Sequence, residues 1–124
     1  GMAGAFASLA FQWAGRTNRY ADQFNREIQP HCPQKLYYGT ADFVIPGRQP
    51  IVLPTPTAAI DIKEHFEGKL TAFRAHASQA PLFPFFEENA KKAGGKELFH
   101  LVASSEGGPL HHETDLFEGV DDPL

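Results

Sequence analysis

The stretch AAIDIKEHFEGKLTAFRAHA, residues 58–77, joins a predicted strand to a predicted helix. Residues 58–62 are apolar apart from one aspartate and follow a proline-rich segment, which is typical of a short strand. From Ile62 to Ala77 apolar residues recur every three or four positions with charged residues between them, which predicts an amphipathic helix. A strand that leads directly into a helix indicates an α/β fold.

The segments before this unit predict a second strand and a loop. Lys35–Tyr38 is rich in aromatic residues and reads as a short strand. Residues 39–57 contain four prolines, so we expect an irregular loop there. Extended pieces are predicted within that loop, at Phe43 and Val44 and at Ile51 and Val52.

The segments after it predict a shorter helix, a third strand and a tail. Phe83, Phe86 and Ala90 have helical spacing, and the glycine pair that follows at residues 94–95 is suited to a left-handed helix end. Glu97–Ala103 is the third predicted strand. We expect residues 104–124 to form an acidic, extended tail.

The N-terminal segment predicts one long amphipathic helix from Ala5 to Ile28, because its large apolar residues recur at helical spacing. Gly1 precedes Met2 as after removal of an expression tag, so residues 1–4 are expected to be a tag scar and a disordered start. The aromatic residues on one stripe of this helix are expected to be core, and would be exposed if part of the fold were missing. They are Phe6, Trp13, Tyr20 and Phe24.

These elements predict one α/β domain over residues 1–124, with a small, largely parallel sheet and flanking helices. Three strands make a narrow sheet with open edges, which indicates one flank of a larger sheet.

Composition excludes several classes of protein. The net charge is −4 and basic residues are not clustered, which argues against nucleic acid as a partner. Cys32 is the only cysteine, so the chain has no internal disulfide, as is common in a reducing compartment. The apolar runs are too short for a membrane span, and no leader pattern is present, so a cytoplasmic location is expected.

Three polar residues at the end of the central helix are candidate substrate-binding residues: His76, Ser78 and Gln79. They can face a pocket and orient substrate, or their side chains can cap the helix end. Asp61 and Glu64 resemble an acid/base pair, but their spacing favours a helix-capping role.

The other histidines are weaker candidates. His111 and His112 stand beside Glu113 and Asp115, which offers nitrogen and oxygen ligands to a metal, but adjacent side chains point apart. Of the remaining three, His31 is expected in a loop, His65 on the surface and His100 in a strand.

Four stretches in order resemble the LmbE-like de-N-acetylase family, which includes GlcNAc-phosphatidylinositol, mycothiol-pathway and chitooligosaccharide deacetylases. Residues 33–38, PQKLYY, are similar to the family's Pro-x-Lys-Leu-Tyr, and residues 58–62 to the strand that enters its late helix. Residues 69–79, KLTAFRAHASQ, end in its His-x-Ser/Thr-Gln. The last strand, 97–102, and the DLFEGV of residues 115–120 resemble its C-terminal end.

The resemblance implies a Rossmann-like, three-layer fold and a catalytic zinc. In the family that zinc is held by an early Ala-His-Pro-Asp-Asp-Glu segment and a later His-x-x-His segment, and neither is present in this chain. The chain then corresponds to the C-terminal half, with no catalytic or metal-ligating residue of its own. It would be inactive alone and would need a separate N-terminal deacetylase segment.

Two other interpretations stay open. In the first, the chain is a non-catalytic binding or assembly domain derived from that fold, and homodimer formation closes its sheet edge. In the second, the chain is an unrelated small α/β domain.

Overall fold

The computed structural model describes residues 2–25, 27–40, 47, 52–105, 107 and 109–121. Three α-helices and three strands are assigned in this part of the chain, which confirms an α/β protein. Their bounds are α1 Met2–Ala14, β1 Lys35–Gly39, β2 Ala58–Asp61, α2 Phe66–Arg74, α3 Phe83–Lys92 and β3 Lys96–Ser104. The extended pieces predicted at Phe43, Val44 and Ile51 lie outside the described residues.

The three strands form an antiparallel sheet in the order β1-β3-β2. Ala58 lies opposite Phe99 and Asp61 opposite Lys96, so β2 ends where β3 begins. The prediction of a largely parallel sheet is therefore wrong, and the Rossmann-like layering is not seen in the described residues. Two helices stand between β2 and β3 in the chain, and β3 pairs beside β2 in the opposite direction.

By its internal contacts the chain divides into two units. The first contains Gly1–Tyr38, Leu101–Pro109 and Gly119–Leu124, and the second contains Gly39–His100 and Leu110–Glu118.

In the first unit, α1 is tied to β1 through one tyrosine. The Tyr38 hydroxyl donates to the Gly4 carbonyl at 2.6 Å and lies 2.8 Å from Ser8 Oγ. The helix begins at Met2, within the segment expected to be disordered. It ends at Ala14, so the prediction of a helix reaching Ile28 is wrong beyond that residue.

The chain leaves the helix for a local reason. Gly15 follows Ala14, and Tyr20 has a left-handed backbone with φ of 52°, which a helix does not tolerate. Only a short 3-10 turn, Ala21–Gln23, follows, and Arg26 lies outside the described residues. The apolar residues keep helical spacing as far as Ile28, but the backbone after Ala14 is no longer helical, so the spacing predicted too long a helix.

The second unit holds the packed helices. The rings of Phe73 on α2 and Phe86 on α3 are stacked, with centroids 4.0 Å apart and planes at 9°. Leu70 and Ala90 are buried beside them. Gly94 and Gly95 have φ of 65° and 75°, which confirms the predicted left-handed end of α3.

The C-terminal segment is less loose than expected. The Ala59 N–H donates to the Glu113 carbonyl at 3.0 Å, and the Glu113 N–H donates to the Thr57 carbonyl at 2.9 Å. Glu113 is only 3% exposed, so part of the predicted tail lies as an extra bridge along β2.

The buried core is small for the described residues. Its apolar members are Ala58, Leu70 and Ala90, and no large side chain there is fully buried. The aromatic stripe expected to be core is partly open: Phe6 is 62% and Tyr20 65% exposed, whereas Trp13 and Phe24 are half-buried. No helix in the described part is long and apolar enough to cross a membrane.

Candidate functional site

The three predicted substrate-binding residues lie in the turn between α2 and α3. His76 directly precedes the 3-10 segment Ala77–Leu82, and the Gln79 N–H donates to its carbonyl at 2.8 Å. The Gln79 amide nitrogen donates to Ser78 Oγ at 3.4 Å, a long contact. All three side chains are exposed. The structure thus brings the three together on one surface turn, and their role toward a substrate stays a prediction.

The alternative capping role of these side chains is not the one observed. The last carbonyls of α2 are taken by backbone groups, since the Ala75 N–H donates to Thr71 at 3.1 Å and the His76 N–H donates to Phe73 at 3.0 Å. No side-chain hydrogen bond caps the following 3-10 segment at His76. The polar atoms of the turn are therefore left for solvent or a ligand.

Contacts between α2 and α3 hold this turn in place. The Arg74 guanidinium lies 4.3 Å from the centre of the Phe83 ring and 3.8 Å from a Glu87 carboxylate oxygen. A hydrogen bond from Lys91 holds the pKa of Glu87 below its usual range. The lowered pKa favours the anionic form of Glu87, which lies between Lys91 and Arg74.

Asp61 has a structural role rather than an acid/base one. Its Oδ1 accepts the Lys63 N–H at 3.0 Å, and its Oδ2 lies 3.3 Å from Lys63 Nζ. These contacts, led by the backbone hydrogen bond, lower the pKa of Asp61. A carboxylate held ionised in this way is poorly suited to donate a proton. Glu64 is exposed and forms no reciprocal capping bond among the described contacts.

The two C-terminal histidines are not part of a clustered set of metal ligands among the described residues. His111 Nε2 lies 2.9 Å from Glu118 Oε1. Among the described residues no three His, Cys, Asp or Glu side chains lie close enough to hold one ion. The zinc implied by the family resemblance therefore does not fit the described residues of this chain.

The single histidines behave as expected, with one exception. His31 and His65 are exposed. His100 is half-buried in β3 with its Nδ1 2.8 Å from the Thr55 carbonyl, so it holds the proline-rich segment against the sheet. Sequence reasoning gave this residue no such role.

A groove in the second unit was also missed. Its cavity of about 450 Å³ lies between α3 and the first residues of β3, with Lys69 of α2 and Thr40 after β1 at its border. The apolar part of its lining is Phe86, Ala90, Ala93, Leu98 and Phe99. Residues 86, 89, 90 and 93 follow helical spacing, and this pattern was the available signal; Phe86 and Ala90 had been used only to predict a helix.

Two curated proteins match about half of this chain. It is 42% identical over 71 residues to a 1D-myo-inositol 2-acetamido-2-deoxy-alpha-D-glucopyranoside deacetylase of Nocardioides sp., and 39% identical over 71 residues to deacetylase 2 of that name from Frankia alni. Each match covers 52% of this chain and 23% or 24% of the relative. The chain thus spans about a quarter of the length of these relatives. No family model and no solved structure matches. Over that stretch, the chain is similar to deacetylases named for a 1D-myo-inositol 2-acetamido-2-deoxy-alpha-D-glucopyranoside.

Proposed function

We propose that this chain forms the C-terminal part of a zinc-dependent N-acetyl amino-sugar deacetylase, which hydrolyses the acetamide bond. The observation that carries the proposal is the 42% identity over 71 residues to a deacetylase named for such a substrate. The order of the four family-like stretches supports the C-terminal placement. The lone cysteine fits a reducing compartment such as the cytoplasm.

The turn of His76, Ser78 and Gln79 is the part of the substrate cleft that this chain would supply. An imidazole, a hydroxyl and an amide together offer both donors and acceptors, which suits the hydroxyl groups of a sugar. Their side chains are exposed, and the backbone between His76 and Gln79 is fixed by a 2.8 Å hydrogen bond. Because the backbone of the turn is already fixed, binding of a substrate would cost little additional conformational entropy there.

The zinc site would come from a separate N-terminal segment carrying the family's two metal motifs. The described residues offer no convergent ligand set for it. We therefore expect the chain alone to be inactive.

The first test is metal content together with activity. Protein purified without a histidine tag and exchanged into metal-free buffer is analysed by mass spectrometry, and release of acetate from an N-acetylglucosaminyl substrate is assayed. Neither stoichiometric zinc nor turnover is expected. Zinc near one equivalent with turnover by this chain alone would refute its need for a second segment.

The second test supplies the missing part. The chain is mixed with an N-terminal segment of an LmbE-like deacetylase that carries both metal motifs, and activity is expected only in the mixture. Gln79→Ala should then lower turnover by about tenfold or more, as loss of a positioning hydrogen bond does. His65→Ala, also an exposed side chain of this unit, serves as the control and should leave activity unchanged.

One observation favours a second candidate, a non-catalytic domain that associates with itself. On the first unit Phe6, Leu9 and Tyr20 are 62%, 40% and 65% exposed, which leaves an apolar surface open. A homodimer would be seen in sedimentation velocity as a concentration-dependent shift. Phe6→Ser should abolish that shift, whereas Phe117→Ser, at a 76% exposed site in the other unit, should not. A monomer at all concentrations would exclude this candidate.

A further inference from the structure

The groove beside α3 combines an apolar lining with charged groups at its border. Its volume of about 450 Å³ lies in the range of small-molecule sites, about 300 to 1,000 Å³. Phe86 and Phe99 contribute ring surface to the lining, and Leu98 is 36% exposed. An apolar surface of this kind gains free energy when a carbon skeleton displaces its water.

The charges of this groove oppose those of the whole chain. Among the described residues, Lys69, Lys92 and Lys96 line it with a single carboxylate, that of Glu97, whereas the chain has a net charge of −4. Glu97 Oε1 already lies 2.7 Å from Lys69 Nζ, so this carboxylate is neutralised within the groove. The excess of two ammonium groups favours an anion.

The two remaining lysines differ in how strongly they are held. Lys92 Nζ lies 2.7 Å from Glu88 Oε1, but the two side chains are 69% and 63% exposed, so the pair is weak. Lys96 has no ion-pair partner within 4 Å among the described residues, and its backbone is anchored because it begins β3. A ligand anion could therefore pair with the ammonium groups of Lys92 and Lys96 without breaking a strong ion pair within the protein.

Thr40 adds a polar group at the border of the groove. It is 4% exposed, and its Oγ1 has no hydrogen-bond partner among the described residues. Buried hydroxyls in folded proteins nearly always have a partner. Among the described residues, the groove therefore has one buried hydroxyl with no hydrogen-bond partner in its lining.

We propose that this groove binds a small organic anion, with an aromatic or aliphatic body against Phe86 and Phe99 and its carboxylate or phosphate toward Lys92 and Lys96. The site is separate from the turn at His76 and does not depend on deacetylase activity. Both parts of the ligand contribute to its affinity, because the apolar lining alone and two exposed ammonium groups alone would each bind a small molecule more weakly.

The test compares two probes that share a ring system, 2-naphthoate and the neutral 2-naphthylmethanol, by NMR titration of the chain. The naphthoate should cause saturable shifts at the amides of Phe86, Ala90 and Leu98 with a Kd on the order of 1 mM, as expected for a ligand of this size. The alcohol should bind at least about fivefold more weakly. Raising the salt concentration from low to high should weaken only the naphthoate.

Variants then test the charged border. Lys92→Gln and Lys96→Gln should each weaken naphthoate binding about two- to fivefold, with no effect on the alcohol. Lys91→Gln is the matched control, because Lys91 lies on the same helix but not in the groove and pairs with Glu87 at 2.7 Å. It should leave binding unchanged.

Three results would overturn the proposal. Equal binding of the alcohol would show a merely apolar patch. Shifts confined to α1 would place the probe on the exposed aromatic surface of the first unit instead. Equal effects of the Lys91 and Lys96 substitutions on naphthoate binding would show that only the overall charge of the chain matters, and not the position of Lys96 in the groove.

Discussion

Replacing Thr40 by valine is expected to stabilise the protein. The side chain is 4% exposed and its Oγ1 lacks a partner among the described residues, so the hydroxyl has lost its water without a replacement. Leaving such a group unsatisfied costs about 1 to 3 kcal/mol. Valine has nearly the same shape, and the backbone hydrogen bond from the Thr40 N–H to the Leu98 carbonyl, 2.9 Å, does not involve the side chain. The variant should therefore gain about 1 to 3 kcal/mol.

Urea unfolding followed by circular dichroism measures this gain. With an m value of about 2 kcal/mol per molar urea, the midpoint should rise by about 0.5 to 1.5 M. Thr71→Val is the control, since Thr71 is exposed on α2 and the two residue types have similar helix propensity. Its midpoint should change by less than about 0.3 M. If Thr40→Val left stability unchanged or lowered it, the hydroxyl would have a partner and the reasoning would be refuted.

Two further predictions concern the connection around α3 and the start of α2. Gly95→Ala should destabilise the protein by more than about 1 kcal/mol, because φ is +75° and a Cβ would lie 2.5 Å from Lys63 Cγ. Gly94→Ala, at φ of +65° with nothing within 4 Å of its Cβ, should cost about 1 kcal/mol, and thermal unfolding that ranks the two the other way would contradict the close approach. The pKa of Asp61 is lowered below its usual 3.8, so its contribution to stability is present above that value and is lost as pH falls through the folded pKa. Carboxyl NMR shifts should show this lowered pKa, and Asp61→Asn should flatten the acid side of the stability curve; a titration midpoint above 3.8 would contradict it.

Local periodicity predicted several elements well. The strands at residues 35–39, 58–61 and 96–104 and the helices α2 and α3 are confirmed, with boundaries within a few residues. In these segments backbone preference, apolar spacing and punctuation by glycine agree with one another. Secondary structure can be predicted from sequence where these three signals agree.

The N-terminal helix shows where periodicity misleads. Apolar spacing persists to Ile28, but the helix stops at Ala14 because Gly15 and the left-handed Tyr20 do not continue it. Spacing reports which side chains share a face only if the backbone is already helical.

The candidate turn was located by resemblance and not by physical reasoning. His-x-Ser-Gln in this chain was identified by its order relative to other stretches, and the structure shows that backbone groups, rather than these side chains, satisfy the helix end. The groove beside α3 was not predicted because Lys69 and Lys96 are far apart in sequence and meet only through the packing of α2, α3 and β3.

By itself the sequence determined the α/β composition, the lack of an internal disulfide, the positions of most elements and the similarity to de-N-acetylases. Each of these depends on neighbouring residues or on order along the chain. The tertiary structure alone decided the strand directions, the bridge at Glu113, the exposure of Phe6 and the charge of the groove. These properties depend on which distant segments meet, and no local pattern along the chain decides that.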